Sequence, residues 1–227
     1  FSTLVKKRTE SNGMVTSDIT QALALGGVTD GVTNIELANA YATIANGGTY
    51  TKPIYYTKIL DHDGNILIEN TAKTRRVIKE ATAYLLTSAM VDVVTKGTGA
   101  RVNFGNMAIA GKTGTTSSNV DVWFSGFTPY YTAAAWVGYD NNIHMSGDET
   151  NTAKYIWKAI MSRIHEDLPY KDFEKPDSIV SATVCSLSGL LYNGTCGGGG
   201  HTEIFDKDNV FEVMDNRVES LESNIVN

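Results

Sequence analysis

Cysteine, proline and clustered charge are scarce in this sequence, and each scarcity removes a class of protein. Two cysteines in 227 residues exclude a disulfide-dense scaffold. With His62, His144, His165 and His201 scattered along the chain, they also give no zinc-ligand spacing, so no metal and no cofactor is expected. No apolar run approaches the ~20 residues that cross a bilayer; Ala133-Ala134-Ala135-Trp136-Val137 is typical of the longest. Basic clusters are equally rare. Lys6-Lys7-Arg8 is short and the net charge is -6, which argues against a nucleic-acid partner. An initiator methionine and a signal-like start are missing too. Phe1 reads as an internal cut or an engineered start, with any upstream targeting or anchor segment out of view. What is present, 42% hydrophobic and 19% charged residues, describes an ordinary globular chain: one domain with a substantial core, or one domain and a tail.

The two cysteines bracket a turn-rich stretch. Asn193-Gly194, a strong hairpin signal, could bring Cys185 and Cys196 within bridging distance. Such a bridge implies an oxidising compartment. Two free thiols fit the sequence equally well, and the alternatives stay open here.

The pattern along the chain runs from helices to a sheet. Thr33-Asn34-Ile35-Glu36 has capping-box spacing, and Leu37, Ala38, Tyr41, Ile44 and Ala45 form a helical face that Gly47-Gly48 ends. A shorter helix is predicted from Asp18 to Leu25. Pro53 to Ile59, a turn at Asp63-Gly64, and Ile66 to Ile68 read as a hairpin. A further helix is predicted from Lys79 to Thr95, with Leu85, Leu86, Met90, Val93 and Val94 inward. Three strands follow: Met107 to Thr116, Asp121 to Thr128 and Thr132 to Tyr139. Their short links favour antiparallel pairing. A last helix carries Ala153, Ile156, Trp157, Ile160, Met161 and Ile164 as one apolar stripe. Beyond Lys171 the composition shifts. Gly197 to Gly200 reads as a flexible joint, and Glu203 to Glu222, with seven acids against two bases, as a tail that is partly disordered or docks elsewhere.

The chemistry-bearing segment is Ala110-Gly111-Lys112-Thr113-Gly114-Thr115-Thr116. On a strand it sets an ammonium, hydroxyls and a side-chain-free glycine along one short edge, which suits the carboxylate and carbonyl of a peptide lying alongside. A phosphate-cradling loop is the competing reading of Gly111-Lys112-Thr113. It requires a glycine at position 106, where Asn106 stands, and a helix after the lysine, where a strand is predicted.

Taken together, Leu25-Gly26-Gly27, the run Val32 to Gly48, Gly97-Thr98-Gly99, Ala110 to Thr116, Asp121 to Pro129 and Trp136-Val137-Gly138-Tyr139-Asp140 resemble the transpeptidase domain of bifunctional (class A) penicillin-binding proteins. The match covers roughly residues 14 to 166 in the family's order. The resemblance implies an α+β fold, with an antiparallel sheet flanked by helices. Residues 1–168 would be the C-terminal part of the transpeptidase domain and 169–227 a C-terminal extension. It implies a bacterial, extracytoplasmic enzyme, membrane-anchored through an upstream segment, that cross-links peptidoglycan stem peptides by serine acyl transfer and is the target of β-lactams. Lys112, Thr113, Gly114, Thr115 and Thr116 would bind substrate. Lys112 would reach the substrate carboxylate, and the Thr115 amide would donate to the oxyanion.

The departures matter as much. None of the fifteen serines has a lysine three residues on, and the only Ser-x-Asn, Ser117-Ser118-Asn119, follows Lys-Thr-Gly instead of preceding it. The expected nucleophile therefore lies outside this sequence, and the chain alone is expected to be inactive. Its partners would be stem peptides, β-lactams and the missing N-terminal half of the domain, or a second copy paired through the exposed sheet edge. A non-catalytic penicillin-recognising sensor or structural module is the alternative.

Overall fold

The computed structural model describes residues 1–210, and it is built on a three-stranded antiparallel sheet with a helix against each face. Upstream of it lie two short paired strands, β1 (Arg8–Thr9) and β2 (Val15–Thr16). Helix α1 (Asn34–Ala45) begins where the sequence reading put it. Thr33 accepts from the Glu36 amide, and the Glu36 carboxylate reaches back to the Thr33 amide, so two orphan donors are satisfied reciprocally. Glu36 has a second task. Its carboxylate accepts from the Ser2 and Thr3 hydroxyls at 2.7 and 2.9 Å, tying the N-terminal segment to the helix start.

Next come β3 (Thr49–Thr51), β4 (Lys58–Leu60), β5 (Ile66–Glu69) and β6 (Thr74–Arg76). The β4–β5 hairpin matches the sequence reading, turning through Asp61 to Gly64, but Pro53 to Tyr56 is not strand. The β3–β6 pair encloses it, a pairing that the sequence pattern does not show. Gly48 makes that pair possible. Its φ is +87°, and a Cβ there would sit 2.3 Å from the Ile78 carbonyl oxygen.

Helix α2 (Glu80–Thr95) buries Ala81, Ala83, Thr87, Met90 and Val94. Leu86, expected inside, is exposed, and Leu85 and Val93 are half-buried. α2 runs close against the sheet strand that follows it. That sheet is β7 (Ala110–Thr115), β8 (Asp121–Phe127) and β9 (Thr132–Gly138), in that order. Helix α3 (Thr152–Ile164) crosses one face through Ala153, Trp157 and Met161. The Trp157 ring meets Phe124 edge-on at 5.0 Å, and its indole N–H donates to the Ala133 carbonyl at 3.0 Å. Helix α1 packs on β8 and β9, where Tyr41 and Ile44 join the cluster of Met90, Ala110 and Phe127.

Several expectations need correction. The predicted helix Asp18 to Leu25 shrinks to a five-residue 3-10 turn, Gln21–Leu25. Asp18 is instead a buried acceptor, taking N–H groups from Val5 and Thr29, and its hydrogen bond with the Thr29 hydroxyl is the chief reason its carboxyl is held below the ordinary range. The apolar stripe of α3 divides: Ala153, Trp157 and Met161 are buried, whereas Ile156, Ile160 and Ile164 are 42–53% exposed. The glycine run is no joint. Gly200 opens β11 (Gly200–Asp206), which pairs antiparallel with β10 (Ile179–Cys185), and Glu203 to Asp206 therefore lie in a strand that rests on α2. The rest of the acidic run past residue 210 lies outside the described residues. Cys185 and Cys196 are disulfide-bonded, with Cα atoms 5.8 Å apart, clamping the loop between β10 and β11.

Two outcomes are expected. Reducing the bridge is expected to remove about 2–3 kcal/mol of local stability for a loop this short. Amide exchange across Val180 to Val184 should accelerate accordingly, and unchanged exchange would show that the ladder holds without it. Hydrogen bonds, first from the Ser2 hydroxyl, hold the Glu36 carboxyl well below its ordinary range. Its contribution is therefore complete above the unfolded value of about 4.3 and fades as pH falls below it. Amides 2 and 3, which donate to that carboxylate, should lose protection in that acid window, and Glu36→Gln should abolish their pH dependence.

Candidate functional site

The register of β7 against β8 decides what its free edge presents. Thr115 faces Val122, Gly114 faces Trp123, Thr113 faces Phe124 and Lys112 faces Ser125. One residue beyond the strand, the Thr116 amide donates to the Asp121 carbonyl at 3.2 Å. Hydrogen-bonded and non-bonded pairs alternate in an antiparallel ladder. Gly114 and Lys112 therefore bond to β8, while the N–H and C=O groups of Thr113 and Thr115 point away from it. No strand pairs with that side of β7 among the described residues. A contact at the edge agrees with this geometry: the Thr113 carbonyl accepts from Lys112 Nζ at 2.9 Å.

Side chains follow the same alternation. Thr113 and Thr115 share one face, and Lys112 leaves from the other. Lys112 nevertheless curls over the edge, because its Nζ also donates to Thr113 Oγ1 at 3.3 Å. Two of its three donors are thus engaged by the strand itself, leaving one for a ligand. Lys112 and Thr115 are exposed, and Thr113 and Gly114 half-buried, so the row borders open space. Thr113 Oγ1 has a further partner, Thr98 Oγ1, at 3.0 Å. That residue sits in the Gly97-Thr98-Gly99 turn after α2, which the sequence reading named without giving Thr98 a role.

Two glycines of the segment do different work. A Cβ on Gly111 would lie 2.6 Å from Phe124 Cζ and 2.9 Å from the Ser125 carbonyl oxygen, so strand contact there needs glycine. On Gly114 the nearest atom would be Trp123 Cβ at 3.3 Å, a milder crowding. Thr116 turns out to close the hairpin. Its hydroxyl accepts from the Val120 and Asp121 amides, both at 3.1 Å. Ser117-Ser118-Asn119 forms that hairpin's loop, with Asn119 at φ +50°, and does not form an opposite wall.

Trp123 and Trp136 lean on each other at 6.3 Å, and the Trp136 indole donates to Asp121 at 2.9 Å. Phe124 is the one of the three fully interred in the core. A concavity of about 260 Å³ lies elsewhere, lined by Lys52, Tyr55, Tyr56 and Lys73 among others, with no residue of β7. A single strand edge cannot enclose a pocket by itself.

Residues 2–164 match the family model described as the penicillin binding protein transpeptidase domain. The chain is 41% identical over 171 residues to penicillin-binding protein 1A of Clostridium botulinum strain Langeland, covering 75% of this chain and 21% of that protein. It is 34% identical over 192 residues to penicillin-binding protein 1A/1B of Bacillus subtilis, covering 76% and 21%. The chain therefore spans about a fifth of the length of the curated relatives it matches. The crystal structure of penicillin-binding protein 1A from Haemophilus influenzae superposes with a TM-score of 0.73 at 26% identity, covering 86% of this chain and 35% of that one.

The two glycines provide a test of the edge. Gly111→Ala is expected to lower stability by about 2–3 kcal/mol through overpacking against Phe124, and Gly114→Ala by less than about 1. Thermal unfolding of the chain measures both. Equal shifts would mean that the ring is not held where the strand needs a bare backbone.

Proposed function

The chain belongs to the penicillin-binding protein transpeptidase domain family, and from that premise we propose that residues 1–168 form the Lys-Thr-Gly wall of a peptidoglycan D,D-transpeptidase site. Residues 169–227 are its C-terminal extension. In this reading the end of a stem peptide, or a β-lactam in its place, lies along the free edge of β7 as an added strand. Its terminal carboxylate takes the remaining Lys112 donor and the Thr113 and Thr115 hydroxyls, with Gly114 allowing close backbone approach. The outward amide of Thr115 receives the oxyanion that develops when a serine attacks the penultimate D-alanine carbonyl. The carbon–nitrogen bond then breaks, D-alanine leaves with a proton on its nitrogen, and an amine from a neighbouring stem resolves the ester.

The serine, its lysine partner and the Ser-x-Asn element come from the upstream half of the domain, which faces this wall. The parent acts outside the cytoplasm and is membrane-anchored by a segment upstream of Phe1. The chain by itself forms no acyl-enzyme, and its exposed sheet edge makes association with a second copy the foreseeable side reaction.

The observation that carries this reading is the convergence of an ammonium, two hydroxyls and an outward amide on a strand edge that pairs with nothing among the described residues. Two measurements test it. Fluorescent penicillin should leave no covalent label on this chain, and should label the longer protein that supplies the serine. In that longer protein, Thr115→Pro, set against Thr115→Val, which loses the hydroxyl alone, removes an amide that lies outside the ladder and is tolerable on an edge strand. Acylation should fall on the order of 10²–10³ with it. A label on the isolated chain, or an unaffected Thr115→Pro rate, would overturn the reading. Reversible binding without a covalent label in the longer protein would point instead to a recognition module.

A further inference from the structure

Thr113 has three hydrogen-bonding capacities, one O–H to give and two lone pairs to fill. Lys112 Nζ, which can only donate, takes one lone pair at 3.3 Å. Thr98 Oγ1 at 3.0 Å can either donate to the second lone pair or accept the Thr113 proton. The choice matters to a ligand. If Thr98 donates, both lone pairs of Thr113 are filled and its own proton is left for the open edge. If Thr98 accepts, Thr113 meets an anion with only its remaining lone pair.

An anion on the edge selects the first arrangement, because the chain Thr98 to Thr113 to carboxylate then runs donor to acceptor throughout and each bond polarises the next. The turn that holds Thr98 is built for a fixed position. α2 ends at Thr95, and the Gly99 amide folds back to the Val93 carbonyl at 2.9 Å. A Cβ on Gly97 would lie 3.0 Å from Val93 Cα and carbonyl oxygen, and one on Gly99 would lie 3.1 Å from that same oxygen and 3.4 Å from Phe124. Glycine on both sides lets the turn press onto the helix end, which sets Thr98 against Thr113.

We propose that Thr98 is a positioning residue that donates its proton to Thr113 and thereby aims the Thr113 hydroxyl at the terminal carboxylate of the acyl donor. The inference rests on the transpeptidase reading above and deepens it. Thr98 touches no reacting atom; it acts through Thr113.

The test uses the longer protein and one penicillin in two forms, the free acid and its methyl ester, with second-order acylation measured for each. For Thr98→Val, which keeps the shape and loses the hydroxyl, the acid-to-ester rate ratio is expected to fall roughly tenfold, the scale of one modest hydrogen bond to a charged group. Thr98→Ser should restore the ratio to within about twofold of wild type. Both rates are taken on one preparation, so any loss of folded protein cancels. A Thr98→Val that slows acid and ester alike, or leaves both unchanged, overturns the proposal. A wild type that neither form acylates overturns the transpeptidase reading itself, and this inference with it.

Discussion

The ring of Phe124 is the point on which the site's geometry depends. It is fully buried, lies edge-on to Trp157 of α3, and has three glycines around it. Side chains at Gly111, Gly126 or Gly99 would approach its ring atoms to 2.6, 2.9 and 3.4 Å. Those glycines belong to β7, to β8 and to the turn after α2. One aromatic ring therefore fixes how near β7 comes to β8, where α3 crosses, and how closely the α2 turn approaches Thr113. Interiors packed at crystal-like density transmit such constraints with little slack.

What the ring fixes, the ladder converts into chemistry. Once Thr116 pairs with Asp121, the alternation of an antiparallel pair leaves no freedom: the peptide groups of Thr113 and Thr115 must face outward. A slip of one residue would turn Lys112 and Gly114 to the edge instead and bury the threonine amides in the ladder. The Thr116 hydroxyl, accepting two amides within the hairpin loop, helps to fix that register. A residue grouped by sequence with the binding threonines thus contributes a contact that keeps the others aimed.

Legibility from the sequence followed the range of the interaction. The Thr33–Glu36 capping box, the three sheet strands and the last helix rest on neighbours within a few positions, and their periodicity showed them. The β3–β6 pair joins three-residue strands across an intervening hairpin, and neither strand is long enough to show a period. The α3 stripe was visible as apolar but not as divided, because sequence gives hydrophobicity and not which neighbours arrive to cover it. The glycine run misled for a related reason. Gly200 pairs with Cys185, and a Cβ there would meet Tyr192 and Thr183 at 2.8–2.9 Å, so that glycine marks close packing where flexibility was expected. At the site, Lys-Thr-Gly was readable, whereas Thr98 became visible only when the fold brought it to Thr113 from fifteen residues away.

A wall made of strand edge divides its tasks between backbone and side chains in a particular way. The outward amides exist whatever residues occupy β7, provided the register holds, so on the proposed reading any affinity for an extended chain would be a property of the fold. On the proposed reading, selectivity for a chain that ends in a carboxylate rests on side chains, and these are few: one ammonium, already engaged twice by Thr113, and two hydroxyls on one face. The ammonium is held by Thr113 through both its carbonyl and its hydroxyl. Lysine and threonine thus form one preorganised unit, and the rotamer freedom of a long exposed lysine is spent before any ligand arrives. Placing the charge by the strand's own Thr113 makes its position follow the register too, so the same pairing that points the amides outward also sets the cation beside them.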